Sequence, residues 1–261
     1  MADFFVSWVP YLRMLLVASL LLLPFMDIAA TRRMRRHTSS AARMQWYRDS
    51  VLAIWVLAAL ALLLAVPHNL LILERSPQDI AWLLGTPTRA MVAAVLLAIF
   101  FALYLAQFLA LAWSRALREK YAKAARYVRG FLPVSAQEQR WWLFLSISAG
   151  ICEEVLVRGF FLQFLNGQIA GGPALGLTAA WLITSVIFGF CHFYQGLRGV
   201  IGTAIGGALL GLLAIVSGDL LLPMLVHTLL DAVIILAYQP RSDDPAQARL
   251  LEQGCDLPVE A

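Results

Sequence analysis

Stretches of about twenty mostly apolar residues recur along this chain, with only short polar segments between them. A helix of that length crosses the roughly 30 Å hydrocarbon core of a bilayer. Lipid cannot satisfy backbone N–H and C=O groups, so spans of this kind have to be helical. We therefore predict an all-α fold, a polytopic transmembrane helical bundle. It has about seven spans, with six or eight as alternatives, over residues 6–26, 51–73, 89–113, 141–164, 175–194, 200–216 and 220–238.

Composition supports a membrane protein without a separate soluble domain. Hydrophobic residues make up 61% of the chain and charged residues 14%, against about 45–50% and 25% in soluble domains. Three regions follow along the chain. Residues 1–130 hold the first spans and two basic loops, residues 131–238 hold the remaining spans, and residues 239–261 have the polar composition of a disordered cytoplasmic tail.

Basic residues predict the orientation in the bilayer. They are concentrated after the first and third spans, at residues 32–48 and 115–140, and loops rich in arginine and lysine stay in the cytoplasm. The protein is therefore expected in an inner or plasma membrane, with its amino terminus on the outer side and its carboxyl terminus in the cytoplasm. These loops account for the net charge of +4, so the bilayer is the expected partner and no nucleic acid is indicated. Residues 77–84 are predicted to form a short interfacial helix on the outer side.

Several ionisable side chains interrupt the last predicted spans. At the centre of a bilayer each of these costs at least about 2.5–3.5 kcal/mol, so a group of them on neighbouring helices needs a common explanation. Helical spacing places Glu154 and Arg158 on one face, where they can pair, and likewise His227 and Asp231. Glu153 has no such partner in its own helix. A desolvated carboxylate beside imidazoles suits proton abstraction from water.

Depth in the membrane separates one of these residues from the others. At about 1.5 Å per residue, Glu153, His227 and Asp231 can meet near the midplane. His192 lies only about 9 Å along a helix from Arg198. It can reach the same site only if its helix tilts or if the chain dips inward before Arg198.

Three short motifs carry a resemblance to a known family. They are Glu-Glu-x-x-x-Arg at 153–158, Phe-x-x-x-His at 188–192 and His-x-x-x-Asp at 227–231, each in its own apolar segment. Together they resemble the pattern of the CPBP, or Abi, intramembrane proteases, which include the type II CAAX prenyl endopeptidases and bacteriocin-processing proteins. The resemblance covers about residues 140–238. The first 130 residues are similar only as generic membrane spans.

The resemblance implies roles for individual residues. Glu153 would be the general base on the attacking water, with Glu154 assisting, and His192 would complete the water-activating site. His227 and Asp231 would stabilise the oxyanion of the tetrahedral intermediate. Arg158 is expected to serve mainly in charge pairing, and Phe188 in packing. Many family members have Asn where this chain has Asp231. An ionised Asp cannot donate a hydrogen bond, so it would have to be protonated, orient His227 or bind a metal.

The expected function is intramembrane hydrolysis of a peptide bond in a membrane-embedded or lipid-anchored protein or peptide. A non-proteolytic scaffold or immunity protein of the same fold is the first alternative, and a proton-coupled transporter is the second. A water activated by glutamate alone is the favoured mechanism. A zinc-bound water is the other route, with the metal held by Glu153, His192, His227 and Asp231.

Overall fold

A computed structural model of the protein describes residues 8–22, 39–65, 68–75, 77–124, 130–169 and 173–237. Within these ranges the fold is all-α, as predicted, and the only β pairing is an isolated bridge between Ile72 and Asp219. The helices are α1 (Trp8–Leu22), α2 (Ser40–Ala65), α3 (Pro77–Leu84), α4 (Pro87–Trp113), α5 (Arg115–Ala124), α6 (Ala136–Glu154), α7 (Gln163–Gln168), α8 (Pro173–Cys191), α9 (Gly196–Ser217), α10 (Leu221–Ala232) and α11 (Ile234–Ala237).

Three of these helical segments are long and apolar enough to cross a membrane, by length and composition: Ser40–Ala65, Pro87–Trp113 and Phe193–Ser217. Shorter apolar helices cover Trp8–Leu22, Leu175–Cys191 and Leu221–Leu236. Each predicted span contains helix, so the helical bundle is confirmed, while the number of spans stays a prediction. The basic cluster at residues 32–36 and the tail at 239–261 lie outside the described residues, and the orientation likewise stays a prediction.

The second span begins earlier than predicted. Arg43 and Arg48 were expected in a loop, but α2 starts at Ser40 and includes both. Arg43 is buried and pairs with Glu138 of α6 at 3.0 Å. One turn later, the hydroxyl of Tyr47 donates to the carbonyl oxygen of Phe131 at 2.6 Å. These tertiary contacts extend the helix into a polar stretch. The apolar pattern of the sequence alone does not indicate this extension.

The fourth span is one continuous helix that changes its winding. After α6 the chain forms a π-helical segment, Val155–Leu162, and then α7. Such segments are rare and often lie at functional sites. Gly159 in this segment faces Leu70, whose carbonyl oxygen would lie 2.7 Å from a Cβ at that position. The glycine therefore lets the loop after α2 pack directly against the helix.

That loop, residues 68–75, ties the first half of the chain to the turn before α10. The amide of Leu73 donates to the carbonyl of Gly218 at 3.1 Å, and the amide of Leu220 donates to the carbonyl of Leu71 at 3.0 Å. Arg75 donates to the carbonyls of Ile215 and Val216 at the C-terminus of α9, where a cation complements the helix dipole. These bonds fix the start of α10, the helix that carries His227.

Small residues set the spacing of the helices. On α9, Gly207 and Gly211 contact side chains of neighbouring helices, whereas Gly202 and Gly206 have no neighbour within 4 Å of an added Cβ. Of these four glycines, only Gly207 and Gly211 therefore allow a close approach of neighbouring helices. Gly150 of α6 has the same role against α10, since an added Cβ would lie 2.8 Å from the amide nitrogen of Thr228 and 2.9 Å from the carbonyl oxygen of Met224.

Gly150→Ala is expected to lower the free energy of unfolding by about 1–3 kcal/mol, because the added methyl group overpacks a contact between two helix backbones. Gly202→Ala is the matched control. It should be neutral or raise stability by up to about 1 kcal/mol, since alanine favours the helix and has open space there. Chemical unfolding of both variants in detergent micelles measures the difference. Equal stability of the two would contradict the close approach of α6 and α10.

Candidate active site

Three helical segments bring the predicted site residues into one region. Glu153 and Glu154 end α6, and Arg158 lies in the π-helical segment that follows. His227 and Asp231 lie on α10, which packs closely on α6 across Gly150. His192 follows the last residue of α8.

A buried hydrogen-bond network is centred on Glu154. Its Oε1 accepts from Nη1 of Arg158 at 2.7 Å, so the predicted pair at i and i+4 is present, and from Nδ1 of His227 at 2.8 Å. Nη2 of Arg158 donates to the carbonyl oxygen of Gly207 on α9 at 2.7 Å. Glu154 and Arg158 are almost fully buried. Three helical elements therefore converge on one carboxylate.

This network sets the proton position on His227. An ionised Glu154 beside Arg158 can only accept, so Nδ1 of His227 has to carry the hydrogen, and in the neutral ring Nε2 has the free lone pair. Nε2 lies 3.8 Å from Oε2 of Glu153 and 3.7 Å from Oδ2 of Asp231. Both distances exceed a direct hydrogen bond and lie within the reach of a shared water.

Glu153 differs from its neighbour in exposure and in its hydrogen bonds, although Oε2 of Glu154 is likewise buried without a partner among the described residues. Oε2 of Glu153 is buried and has no hydrogen-bond partner among the described residues, yet 23% of the Glu153 side chain is exposed. The exposed part faces a cavity. Glu154, by contrast, is fully buried and holds Arg158 and His227. Only Glu153 of the two adjacent carboxylates can meet a substrate.

His192 reaches this region in a way that differs from the sequence prediction. We expected it within a helix, but α8 ends at Cys191 and the chain then turns through a 3₁₀ segment, Phe193–Gln195. Gly196 closes the turn with a φ of 77°. Nδ1 of His192 lies 2.8 Å from the carbonyl oxygen of Phe188. The chain thus leaves the helix before Arg198, and His192 lines the same cavity as Glu153, while its depth in the bilayer stays a prediction.

Phe188 connects the two histidines. Its ring centroid lies 4.7 Å from that of His192 and 5.8 Å, edge-on, from that of His227. The guanidinium of Arg158 lies over the same ring at 4.8 Å. The ring packs as predicted, and it also sets the distance between the imidazoles.

A cavity of about 1380 Å³ opens onto these groups. Its polar lining includes Glu153, His192 and Asp231, together with Tyr121 and Arg198, and most of the remaining lining is apolar. His227, Glu154 and Arg158 lie behind this wall. The arrangement places the carboxyl groups of Glu153 and Asp231 and the imidazole of His192 around one space with mostly apolar walls, which suits hydrolysis.

A metal ion finds no complete ligand set in this arrangement. Within the parts of the chain that the structure describes, no three His, Cys, Asp or Glu side chains are placed to hold one ion. One nitrogen of His227 is bonded to Glu154, and its other nitrogen is nearly 4 Å from both nearby carboxylates. The predicted ligands Glu153, His192, His227 and Asp231 therefore do not converge on one ion position in the described structure.

Two side chains that the motifs did not reveal also belong to this site. Nε1 of Trp142 donates to the carbonyl oxygen of Asp231 at 3.1 Å, and Tyr121 of α5 lines the cavity. Neither belongs to one of the three motifs. Tyr121 lies in a basic stretch interpreted as a loop, so its position depends on how α5 packs and no sequence signal marks it.

Comparison with known proteins agrees with the motif pattern. Residues 136–233 match the family model described as Rce1-like, type II CAAX prenyl endopeptidase Rce1-like. The matched range contains all three motifs, so the resemblance seen in the sequence is confirmed over this segment. No curated protein and no solved structure matches the chain.

Proposed function

We propose that this protein is an intramembrane CAAX endopeptidase, on the premise that residues 136–233 form an Rce1-like domain. Its substrates are membrane-embedded or lipid-anchored proteins or peptides, and it cleaves them with a water activated by Glu153. The observation that carries the proposal is the position of Oε2 of Glu153 beside a cavity that Glu153 lines and Glu154 does not. This oxygen is buried, lacks a hydrogen-bond partner among the described residues, and lies 3.8 Å from Nε2 of His227 at the edge of the cavity.

The proposed reaction begins with a water that bridges Oε2 of Glu153 and Nε2 of His227, which lie 3.8 Å apart, with His192 lining the same cavity. Glu153 takes one proton from the water as the oxygen attacks the carbonyl carbon of the scissile peptide bond. The carbonyl oxygen becomes an oxyanion, and donors on the opposite side of the cavity stabilise it. Glu153 then gives its proton to the leaving amine, the C–N bond breaks, and the carboxylate is regenerated.

Glu154 and Arg158 act on this reaction through His227. The bond from Nδ1 of His227 to Glu154 fixes the orientation and tautomer of the ring, as second partners of catalytic imidazoles commonly do. Arg158 neutralises Glu154 and is itself held by the carbonyl of Gly207. Both are positioning residues, because neither lines the cavity.

A glutamate-activated water requires no metal ion, and we propose this route because the four candidate ligands do not converge. A zinc-bound water remains the alternative mechanism. It predicts loss of activity with a chelator, which the favoured route does not.

His227→Ala is expected to lower the rate of cleavage by about 10²–10⁴-fold, the usual contribution of one acid–base group. The purified protein in phosphatidylcholine vesicles is given a prenylated CAAX peptide, and the released tripeptide is measured by mass spectrometry. His68→Ala is the matched control, because His68 is about half exposed and pairs only with Glu74 away from the site. Its rate should equal that of the wild type.

The same assay separates the alternatives. Addition of 1,10-phenanthroline should leave cleavage unchanged, and inhibition that zinc reverses would support the metal route. Absence of cleavage of prenylated peptides, leader peptides and sorting-signal peptides by the wild type would favour a scaffold or immunity protein. Proton uptake into the vesicles that depends on Glu153 would favour a transporter.

A further inference from the structure

An oxyanion needs hydrogen-bond donors, and the side chain at position 231 is a poor candidate for one. Asp231 lies 3.7 Å from Nε2 of His227, and 41% of its side chain is exposed toward the cavity. As an ionised carboxylate it has acceptors only. The proposed hydrolysis, on which this inference rests, therefore requires a donor from elsewhere on the cavity wall.

Tyr121 brings a hydroxyl to that wall from outside the family segment. It lies on α5, which packs on α11, directly after the helix that carries Asp231, and on the C-terminal part of α4. Its side chain is half-buried and lines the same cavity as Glu153 and Asp231. The phenol is close enough to Asp231 for the carboxylate charge to act on it.

The local environment keeps this hydroxyl available as a donor. Burial raises the pKa of Tyr121 above its usual value, and the negative charge of Asp231 raises it further, against a smaller opposite effect of the hydrogen bond with Gln107. The phenol is therefore protonated at neutral pH. A phenol oxygen that accepts from the side-chain amide of Gln107 still has its own O–H to donate.

We propose that Tyr121 is a further catalytic residue, whose hydroxyl donates to the carbonyl oxygen of the scissile peptide bond as that oxygen becomes an oxyanion. It supplies the hydrogen bond that an amide at position 231 would supply and that Asp231 does not. Asp231 then serves as an acceptor for water. The donor comes from α5, so the site of this protein is incomplete without a helix that precedes residues 136–233.

Tyr121→Phe tests the proposal in two backgrounds. In the wild-type background it should lower kcat by about 10²–10³-fold, the effect of removing one oxyanion donor, with little change in KM. In the Asp231→Asn background the new amide N–H can donate in its place, and the same substitution should lower kcat by less than about tenfold. Cleavage of the prenylated peptide in vesicles measures all four proteins of this cycle.

Tyr104→Phe is the matched control. Tyr104 on α4 is also a tyrosine near Tyr121 and Asp231. Its ring packs on Phe100, with the two ring centroids 4.7 Å apart, and it does not line the cavity. Its loss should leave kcat unchanged. Equal thermal midpoints for the Tyr121 and Tyr104 variants would show that a lower kcat of Tyr121→Phe is not a folding defect.

Two results would overturn this inference. One is a wild-type kcat for Tyr121→Phe, and the other is an equal loss in both backgrounds. Either result, with an active wild type and an inactive Glu153→Gln variant, would leave the proposed endopeptidase intact. An inactive wild type would instead remove the proposed function and this inference together.

Discussion

Glu153→Gln is expected to reduce cleavage by about 10²–10⁴-fold while leaving the thermal midpoint of the protein unchanged. Glutamine has nearly the same shape as glutamate but cannot accept the proton of the attacking water. The replaced oxygen has no hydrogen-bond partner among the described residues, so the substitution breaks no hydrogen bond. The assay is release of the tripeptide from a prenylated peptide in vesicles, together with thermal unfolding in detergent.

Two matched variants make this prediction specific. Glu154→Gln should lower both the rate and the thermal midpoint, because Glu154 bonds to Arg158 and His227 inside the protein. Glu119→Gln should change neither, since Glu119 is exposed and pairs with Arg115 one turn before it. If Glu153→Gln cleaves at the wild-type rate, or if Glu153→Gln and Glu154→Gln are equally unstable, the division of roles between the adjacent glutamates is wrong.

Arg158→Met should be the most destabilising single change in this group, at about 3–5 kcal/mol. It removes the cation that neutralises Glu154 and leaves a buried carboxylate without its charge partner. It also leaves the carbonyl of Gly207 without its donor. The loss should appear as a lower free energy of unfolding in a denaturant titration of the protein in detergent micelles.

An exposed arginine gives the control for this effect. Arg115→Met breaks an ion pair with the same i and i+4 spacing, but the side chain is 64% exposed, so the cost should be at most about 1 kcal/mol. Combining Arg158→Met with Glu154→Gln should recover part of the lost stability, because the double variant no longer buries a lone charge. Equal stability of the two arginine variants would show that the ion pair of Arg158 is not buried in the folded protein.

Local features of the sequence were enough to predict much of the architecture. Residues 77–84 form a helix with the predicted bounds, because a proline at the start and an apolar run define so short a segment. The predicted second span begins later than α2, because the start of α2 depends on the contacts of Arg43 with α6 and of Tyr47 with Phe131 before it. The winding change at Val155–Leu162 has no local signature and depends on packing against α2, α8 and the loop after α2.

What the sequence determined by itself is the chemistry available and its approximate location. Charged side chains in apolar segments are so costly that the fold has to bring them together, which applies to Glu153, Glu154, Arg158, His192, His227 and Asp231. The spacing of four residues within one helix was enough to predict the pair of Glu154 and Arg158. Only the tertiary structure decided which glutamate faces the cavity, how His192 enters it and that Tyr121 lines it. These features depend on how separate helices are rotated and packed against one another. The periodicity of a sequence shows which residues share a face of one helix, but not which neighbouring helix packs against that face.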